Sequence, residues 1–461
     1  MRLLLLAAAL VYALLPILDA VPAGGMRAAA LADDGGDSGD DGGDDGGDSS
    51  GGDDGDDGDD GDDGDDGDDG DDSDDSDDSD DSDDDSRDDD DDRSEDEDAS
   101  TPEGGSAEDY LSREIVGLNL DARGLNALTA QGFSVRGTSR SEVLGMTLVR
   151  LATPRNIEVP AALSLARSLA PEGVFDANHL YAPQAAAACG AAQCAEAVMT
   201  GLSPLDAQAC ASGRPVALLD TPLDLRHGAL DGARIEMRSF VEGGAGTAPS
   251  GHATAIASLL VGTAGPLAPG APLLAAEVVR IRDGQEQADT IAIVRALDWA
   301  ATRDARVVLM SLSGAENKVL GAAIAAVAAR GINLVAAAGN TGPRGRPSYP
   351  AAYPEVLAVA AVDARKRAYR QGTRGRYIEL AAPGVEVRAA APGGGFQAWS
   401  GTSFAAPFAA AALLRARALS GGDAAAARLI LTTGAEDLGR PGRDDIYGWG
   451  LLKAPPTDRC Y

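Results

Sequence analysis

Short apolar runs alternate with alanine-rich segments of helical periodicity from residue 215 onward, and this alternation constrains the fold more than any other feature of the chain. The apolar runs occupy residues 216–219, 273–279, 307–312, 332–338 and 356–362. Their nearly continuous apolar character is typical of strands buried on both faces of a sheet. Segments with helical spacing lie at 253–261, 290–301 and 319–330. The alternation predicts an α/β domain over residues 185–461, with a mostly parallel sheet and helices on both faces.

A smaller unit precedes this domain. Strand-like patterns occur at residues 114–120, 133–135, 146–151 and 174–181, and helical spacing occurs at 122–131 and 159–169. The resulting order, β-α-β-β-α-β, predicts a small α+β, ferredoxin-like module over residues 108–184. Residues 182–213 are rich in small side chains and are interpreted as a linker.

The charge of the chain is concentrated in one segment. Residues 33–98 hold 40 of the 74 acidic side chains and only two basic ones, so the remainder is nearly neutral. A near-neutral body argues against nucleic-acid binding, which needs a basic surplus to neutralise phosphates. The acidic tract has almost nothing apolar to bury, and we predict a disordered acidic linker over residues 21–107. It is either a solvated spacer or a loose cation-binding tether.

The N-terminus predicts export. Arg2 is followed by an apolar run to Leu18, broken by Pro16, with small residues after it. This pattern is typical of a signal peptide, here residues 1–20, although an uncleaved anchor stays open. We expect no stable membrane span and a secreted or periplasmic protein.

Export gives the four cysteines a structural meaning, because an oxidising compartment favours two disulfides. We favour Cys189–Cys194 and Cys210–Cys460, with free thiols as the alternative.

Four polar residues lie at the ends of predicted strands or the starts of predicted helices, where α/β domains have their functional sites. Asp220 and Asn340 follow predicted strands, and His252 and Ser403 open predicted helices. Each has a structural explanation on its own, as a turn residue, a helix cap or a buried histidine. Together they supply a nucleophile, a base, a carboxylate and an amide donor, which are the parts of an acyl-transfer site.

The segments that carry these residues resemble the motifs of subtilisin-like serine proteases, the subtilases. The similar segments are Gly-Thr-Ser-Phe-Ala-Ala-Pro at 401–407, Ala-Ala-Ala-Gly-Asn at 336–340, Ser-Gly-His-Ala-Thr at 250–254, the strand and loop at 216–227, Met-Ser-Leu-Ser-Gly at 310–314 and Tyr-Gly-Trp-Gly at 447–450. The chain departs from the family pattern at Pro222, Ala253 and Ser313, none of which removes a catalytic atom.

The resemblance implies roles for individual residues. Asp220, His252 and Ser403 would form the catalytic triad, with Asn340 in the oxyanion hole. Substrate binding would fall to Ser311, Leu312, Ser313, Gly314, Ala337, Ala338 and Gly339. We expect an apolar specificity pocket with Ser348 near its base. Catalysis would require no metal or organic cofactor; structural calcium is common in the family, but the sequence locates no site for it.

By the same resemblance, the module over residues 108–184 would be a propeptide that inhibits the enzyme intramolecularly. The chain would then be an exported serine endopeptidase acting on proteins or peptides and processed by itself from a proenzyme. Two alternatives stay open. The module could be a permanent accessory domain, or the chain could be a catalytically inactive subtilisin-fold binding protein with an acidic cation-binding tether.

Overall fold

The computed structural model describes residues 109–141, 144–183, 188–189, 199–202, 213–242, 251–282 and 284–455. The predicted signal peptide and acidic linker lie outside the described residues. So do Cys194, Cys210 and Cys460, and only the backbone of Cys189 is described. The two disulfides therefore stay predictions.

The N-terminal module contains β1 (Tyr110–Leu118), α1 (Ala122–Ala130), β2 (Ser134–Ser141), β3 (Met146–Ala152), α2 (Val159–Leu169) and β4 (Val174–Pro183). The order is the one predicted from the sequence. Its strands form an antiparallel sheet in the order β2-β3-β1-β4. The two helices pack on this sheet around a core that includes Ile115, Leu128, Phe133 and Phe175.

The rest of the chain continues with these strands: β5 (Ala188–Cys189), β6 (Val216–Asp220), β7 (Ile235–Ser239), β8 (Leu273–Glu277), β9 (Val279–Arg282), β10 (Gln285–Asp289), β11 (Val307–Met310), β12 (Leu312–Gly314), β13 (Asn333–Ala337), β14 (Val356–Val362), β15 (Ile378–Pro383), β16 (Val387–Ala390) and β17 (Phe396–Trp399). Its helices are α3 (His252–Val261), α4 (Thr290–Thr302), α5 (Lys318–Ala329), α6 (Thr402–Leu419) and α7 (Ala424–Thr433).

Seven of these strands form a parallel sheet in the order β7-β8-β6-β11-β13-β14-β15. Alternate residues of each strand enter different cores. Val216 and Leu218 pack in the core that contains α3 and α6, whereas Ala217 and Leu219 pack in the core that contains α4 and α5. The sheet is thus covered on both faces, as the apolar runs predicted, and this part of the chain forms an α/β domain.

The last strand of the module joins the larger domain. β4 pairs antiparallel with β10, where Tyr181 lies opposite Ala288. It also pairs antiparallel with β12, where Tyr181, Ala182 and Pro183 lie opposite Gly314, Ser313 and Leu312. The interpretation of residues 182–213 as a linker was therefore wrong at its start, because Ala182 and Pro183 belong to a paired strand. In the described part of the chain, every helix is too short or too polar to cross a bilayer.

Candidate active site

Asp220 ends β6, at the carboxyl edge of the parallel sheet, and is fully buried. Its Oδ1 atom accepts a hydrogen bond from the Thr221 backbone N–H at 2.6 Å. The same oxygen lies 2.8 Å from Nδ1 of His252. A carboxylate held in this way fixes the orientation of the imidazole and selects the tautomer that has its proton on Nδ1.

His252 is the first residue of α3. The preceding Gly251 adopts a φ of 85°, and a Cβ atom there would lie 2.6 Å from Cγ of Pro392. Only glycine meets both conditions without strain, so Gly251 lets the chain turn tightly into the helix. The imidazole of His252 then stands edge-on to the Phe404 ring, with the ring centroids 5.6 Å apart.

Ser403 lies in the first turn of α6 and is fully buried. Its neighbour Phe404 contacts the imidazole of His252 and stacks on Trp399 with 5.1 Å between the ring centroids. This aromatic packing brings Ser403 to the same side of the domain as His252. Backbone N–H groups in the first turn of a helix lack partners within the helix, so the Ser403 N–H is suited to bind a negative oxygen.

Asn340 follows β13 and is held by the residue before the serine. Its Oδ1 atom accepts hydrogen bonds from the backbone N–H and the hydroxyl of Thr402, at 3.1 and 3.0 Å. With the carbonyl oxygen engaged, the amide nitrogen of the side chain must point the other way. Nδ2 is buried and has no hydrogen-bond partner in the described part of the chain. A buried donor without a partner is costly unless a ligand satisfies it, as a developing oxyanion would.

The predicted substrate-binding residues lie around this group. Ser311 and β12 follow β11, the strand between those that lead to Asp220 and Asn340. Ala337 ends β13, the Ala338 carbonyl accepts a hydrogen bond from the Tyr377 hydroxyl at 2.6 Å, and the Gly339 N–H donates to the Thr402 hydroxyl at 3.2 Å. Burial raises the pKa of Tyr377 to about 12, so the phenol stays protonated and keeps donating.

A cavity of about 780 Å³ opens beside β12. Ser313 and Ser348, both in its wall, are joined by a hydrogen bond of 2.7 Å between their hydroxyls. Thr341, Arg346 and Glu316 also line it. The cavity combines apolar surface with the charged side chains of Arg346 and Glu316, and the apolar specificity pocket expected from the resemblance stays a prediction.

The sequence did not single out three further polar residues near the site. Thr402 holds Asn340, as described above. Thr221 accepts a hydrogen bond from the Ala253 N–H at 3.2 Å through its hydroxyl and so ties the Asp220 loop to α3. Glu277 pairs in register with Asp220 on the next strand, is buried, and has one carboxylate oxygen with no partner among the described residues. Thr402 and Thr221 lie inside motif segments, which could have pointed to them, and Glu277 is the one charged residue in the apolar run 273–279.

No group of three or more His, Cys, Asp or Glu side chains suited to hold a metal occurs within the residues that the structure describes. A structural calcium site therefore stays unlocated.

Residues 211–450 match the model of the subtilase family. The chain belongs to the subtilase family. This subtilase is 31% identical over 287 residues to subtilisin Savinase of Lederbergia lenta, which covers 58% of the chain and 100% of Savinase. It is 34% identical over 228 residues to the minor extracellular protease Epr of Bacillus subtilis, which covers 46% of the chain and 34% of Epr. The chain thus spans about a third of the length of Epr.

The fold of this subtilase resembles that of fervidolysin from Fervidobacterium pennivorans, described as a keratinolytic enzyme related to subtilisin, with a TM-score of 0.63 and 19% identity. The likeness covers 77% of the chain and 61% of fervidolysin. The family match begins at residue 211 and contains Asp220, His252, Asn340 and Ser403, whereas the N-terminal module lies outside it.

Proposed function

We propose that this subtilase is an exported serine endopeptidase that uses Asp220, His252 and Ser403 as its triad and Asn340 in its oxyanion hole. The observation that carries the proposal is the 2.8 Å contact between Asp220 and His252, combined with the partnerless Nδ2 of Asn340. A merely structural asparagine would satisfy both ends of its amide.

The chemistry follows from these positions. Ser403 Oγ attacks the carbonyl carbon of the scissile bond while His252 Nε2 takes its proton. The carbonyl oxygen becomes negative and receives hydrogen bonds from Asn340 Nδ2 and the Ser403 N–H. His252 then gives the proton to the leaving amine as the C–N bond breaks, and water hydrolyses the acyl-enzyme by the same steps in reverse.

The N-terminal module acts as an intramolecular inhibitor in this proposal. Its strand β4 fills the space between β10 and β12, where an extended substrate would add as a strand. β4 and β12 are antiparallel. The chain of β4 from Tyr181 to Pro183 therefore lies opposite β12 from Gly314 back to Leu312, in the direction of Ser311. We therefore propose that the enzyme cuts itself in the segment that follows Pro183.

Export is supported by the signal-like N-terminus and by a relative that is named an extracellular protease. The substrates are proteins or peptides, as for the family.

The experiment that tests the proposal is labelling of the full chain with a fluorophosphonate, which reacts only with an activated serine. We expect labelling of the wild type and of the control variant Ser420→Ala, which removes a hydroxyl at the far end of α6. The variant Ser403→Ala should stay unlabelled, and its circular dichroism spectrum should show that it is folded. Labelling of neither protein after removal of the module would favour the inactive binding protein, whereas equal labelling of both would place the reactive serine elsewhere.

A further inference from the structure

Two loops beside the candidate site carry exposed arginines, and four of these flank the segments that join the loops; Arg365, Arg367 and Arg376 lie elsewhere on the second loop. Arg344 and Arg346 belong to the loop that follows Asn340, and Arg370 and Arg374 belong to the loop before β15. None of these four side chains has an ion-pair or hydrogen-bond partner among the residues that the structure describes. Some other surface arginines of this protein are paired, such as Arg303 with Glu236 and Arg306 with Asp304.

The two loops are fastened to each other. The Gly342 N–H donates to the Gln371 carbonyl at 2.8 Å, and the hydroxyls of Thr341 and Thr373 lie 3.0 Å apart. The Thr373 N–H donates to the Gly339 carbonyl at 2.9 Å, which connects both loops to the segment that carries Asn340. The loop backbones that carry the four arginines are therefore fastened to the segment that carries Asn340; together the four arginines are called the arginine rim.

Arg346 is the member of the arginine rim that lines the cavity beside β12, together with Ser348 and Thr341. Two carboxylates, Glu316 and Asp109, line the same cavity. Neither lies within ion-pair distance of an arginine of the rim. Asp109 belongs to the N-terminal module, so it leaves with the module if the module is a propeptide, and Glu316 then stands alone against four positive charges.

We propose that the arginine rim makes acidic protein segments the preferred substrates of this enzyme. Unpaired guanidinium groups at the mouth of a cleft concentrate anionic ligands there and raise their association rate. Arginine also binds carboxylates through two parallel hydrogen bonds, which places a glutamate or aspartate side chain as well as attracting it. The inference rests on the proposed function, because it assigns a substrate class to that same cleft.

The test uses processed wild-type enzyme and three fluorogenic peptides. The peptides are identical except that the residues before the scissile bond are glutamate, glutamine or lysine. At low ionic strength we expect kcat/KM for the glutamate peptide to exceed that for the glutamine peptide about tenfold, within the range known for electrostatic steering. In 0.5 M NaCl the ratio should fall below about threefold, because salt screens exposed charges.

Variants locate the effect. Replacing all four arginines of the rim by glutamine should bring the glutamate-to-glutamine ratio to within about twofold, and Arg346→Gln alone should remove part of it. The control Arg303→Gln/Arg306→Gln removes two charges next to the amino end of β11, on the opposite edge of the sheet, and should keep the wild-type ratio. Melting temperatures check that each variant is folded.

Equal cleavage of the three peptides by the wild type, or a preference for lysine, would overturn the inference while leaving the peptidase activity in place. A glutamate preference that survives in the four-arginine variant would overturn it as well. Failure of the folded enzyme to cleave any of the peptides, together with absent fluorophosphonate labelling, would instead overturn the proposed function and the inference with it.

Discussion

His179 of the N-terminal module accepts a hydrogen bond at its Nδ1 atom from the side-chain amide of Asn317, at 2.8 Å. The same amide nitrogen donates to the Ala177 carbonyl at 2.8 Å. The side-chain Oδ1 atom of Asn317 accepts a hydrogen bond from the Leu320 N–H and so caps α5. Asn317 cannot turn its amide around without losing these two bonds. The contact therefore requires a neutral histidine, and it joins the module to the larger domain.

Acidification should weaken this contact. Burial lowers the pKa of His179 below its usual value of 6.5, and the nearby carboxylates of Asp176 and Asp109 oppose the shift. His179 binds a proton less tightly when the module is docked than when it is undocked. The histidine therefore favours docking of the module at pH values above 6.5. The favourable contribution is lost as the pH falls through the lowered pKa.

The measurement is hydrogen exchange in the β4 and β12 amides of the full-length Ser403→Ala chain at pH 7.5 and 5.5, corrected for the intrinsic rate. We expect protection to fall at the lower pH, by at most about tenfold, because an undocked histidine with a pKa of 6.5 is about tenfold more protonated than neutral at pH 5.5. His179→Asn keeps an acceptor without a titrating ring and should remove most of the pH dependence. An unchanged dependence in that variant would exclude His179 as its source; Glu114 and Asp289, whose pKa values burial raises, would increase protection at the lower pH instead.

Removing the amide of Asn340 should slow catalysis without preventing binding. Asn340→Ala should lower kcat by about 10²–10³ with little change in KM, the range known for removal of such a donor from a subtilisin. A loss of less than threefold in steady-state assays would remove Asn340 from the oxyanion role.

Thr402 should affect the rate indirectly, because its hydroxyl holds Asn340 in place. Thr402→Val keeps the shape of the side chain and loses the hydrogen bond, and we expect kcat to fall about tenfold. Thr402→Ser keeps the hydroxyl and should stay close to wild type. Equal kcat values for the two variants would argue that the hydroxyl is not needed to position the amide.

Gly314 and Tyr181 should be energetically coupled. A Cβ atom on Gly314 would collide with the Tyr181 ring, which is fully buried between β10 and β12. Gly314→Ala should therefore destabilise the full-length Ser403→Ala chain by about 1–3 kcal/mol through overpacking. In chemical denaturation, adding Tyr181→Ala should cost less than the sum of the two single changes. Strict additivity would mean that the two residues do not share one space.

Self-processing should leave a mature chain that begins shortly after Pro183. Residues up to Pro183 are paired with β12, and the pairing leads towards the active site. N-terminal sequencing of secreted wild type should start within residues 185–189, and Ser403→Ala should accumulate as the precursor. Cleavage in this window in Ser403→Ala made without other proteases would contradict self-processing.

Most of the parallel sheet could be predicted from the sequence, because strands buried on both faces produce uninterrupted apolar runs. Helix α3 begins at His252, one residue before the helical spacing of 253–261, and α6 begins at Thr402, one residue before the predicted start at Ser403, since helix starts depend on capping geometry such as that of Gly251 and Gly401. Within the candidate site, the residues that could be predicted from the sequence are those that lie in the subtilase-like motifs.

The sequence missed what depends on distant pairing. The hairpin of β9 and β10 is largely polar, so neither run looked like a strand, yet it forms one wall for β4. The roles of Thr402, Asn317 and Arg346 likewise come from partners far along the chain. Local periodicity contains no information about such partners.

The position of β4 between β10 and β12 has a consequence for what this enzyme can digest. A substrate that replaces β4 must offer both backbone edges over several residues, so it must leave whatever secondary structure it had in the folded target. Compact proteins would resist attack however well their side chains suit the cleft, whereas hinges, tails and denatured chains would be cut readily. The site would thus select substrates first by the free energy needed to unfold the target locally and only then by the side chains that contact the cleft.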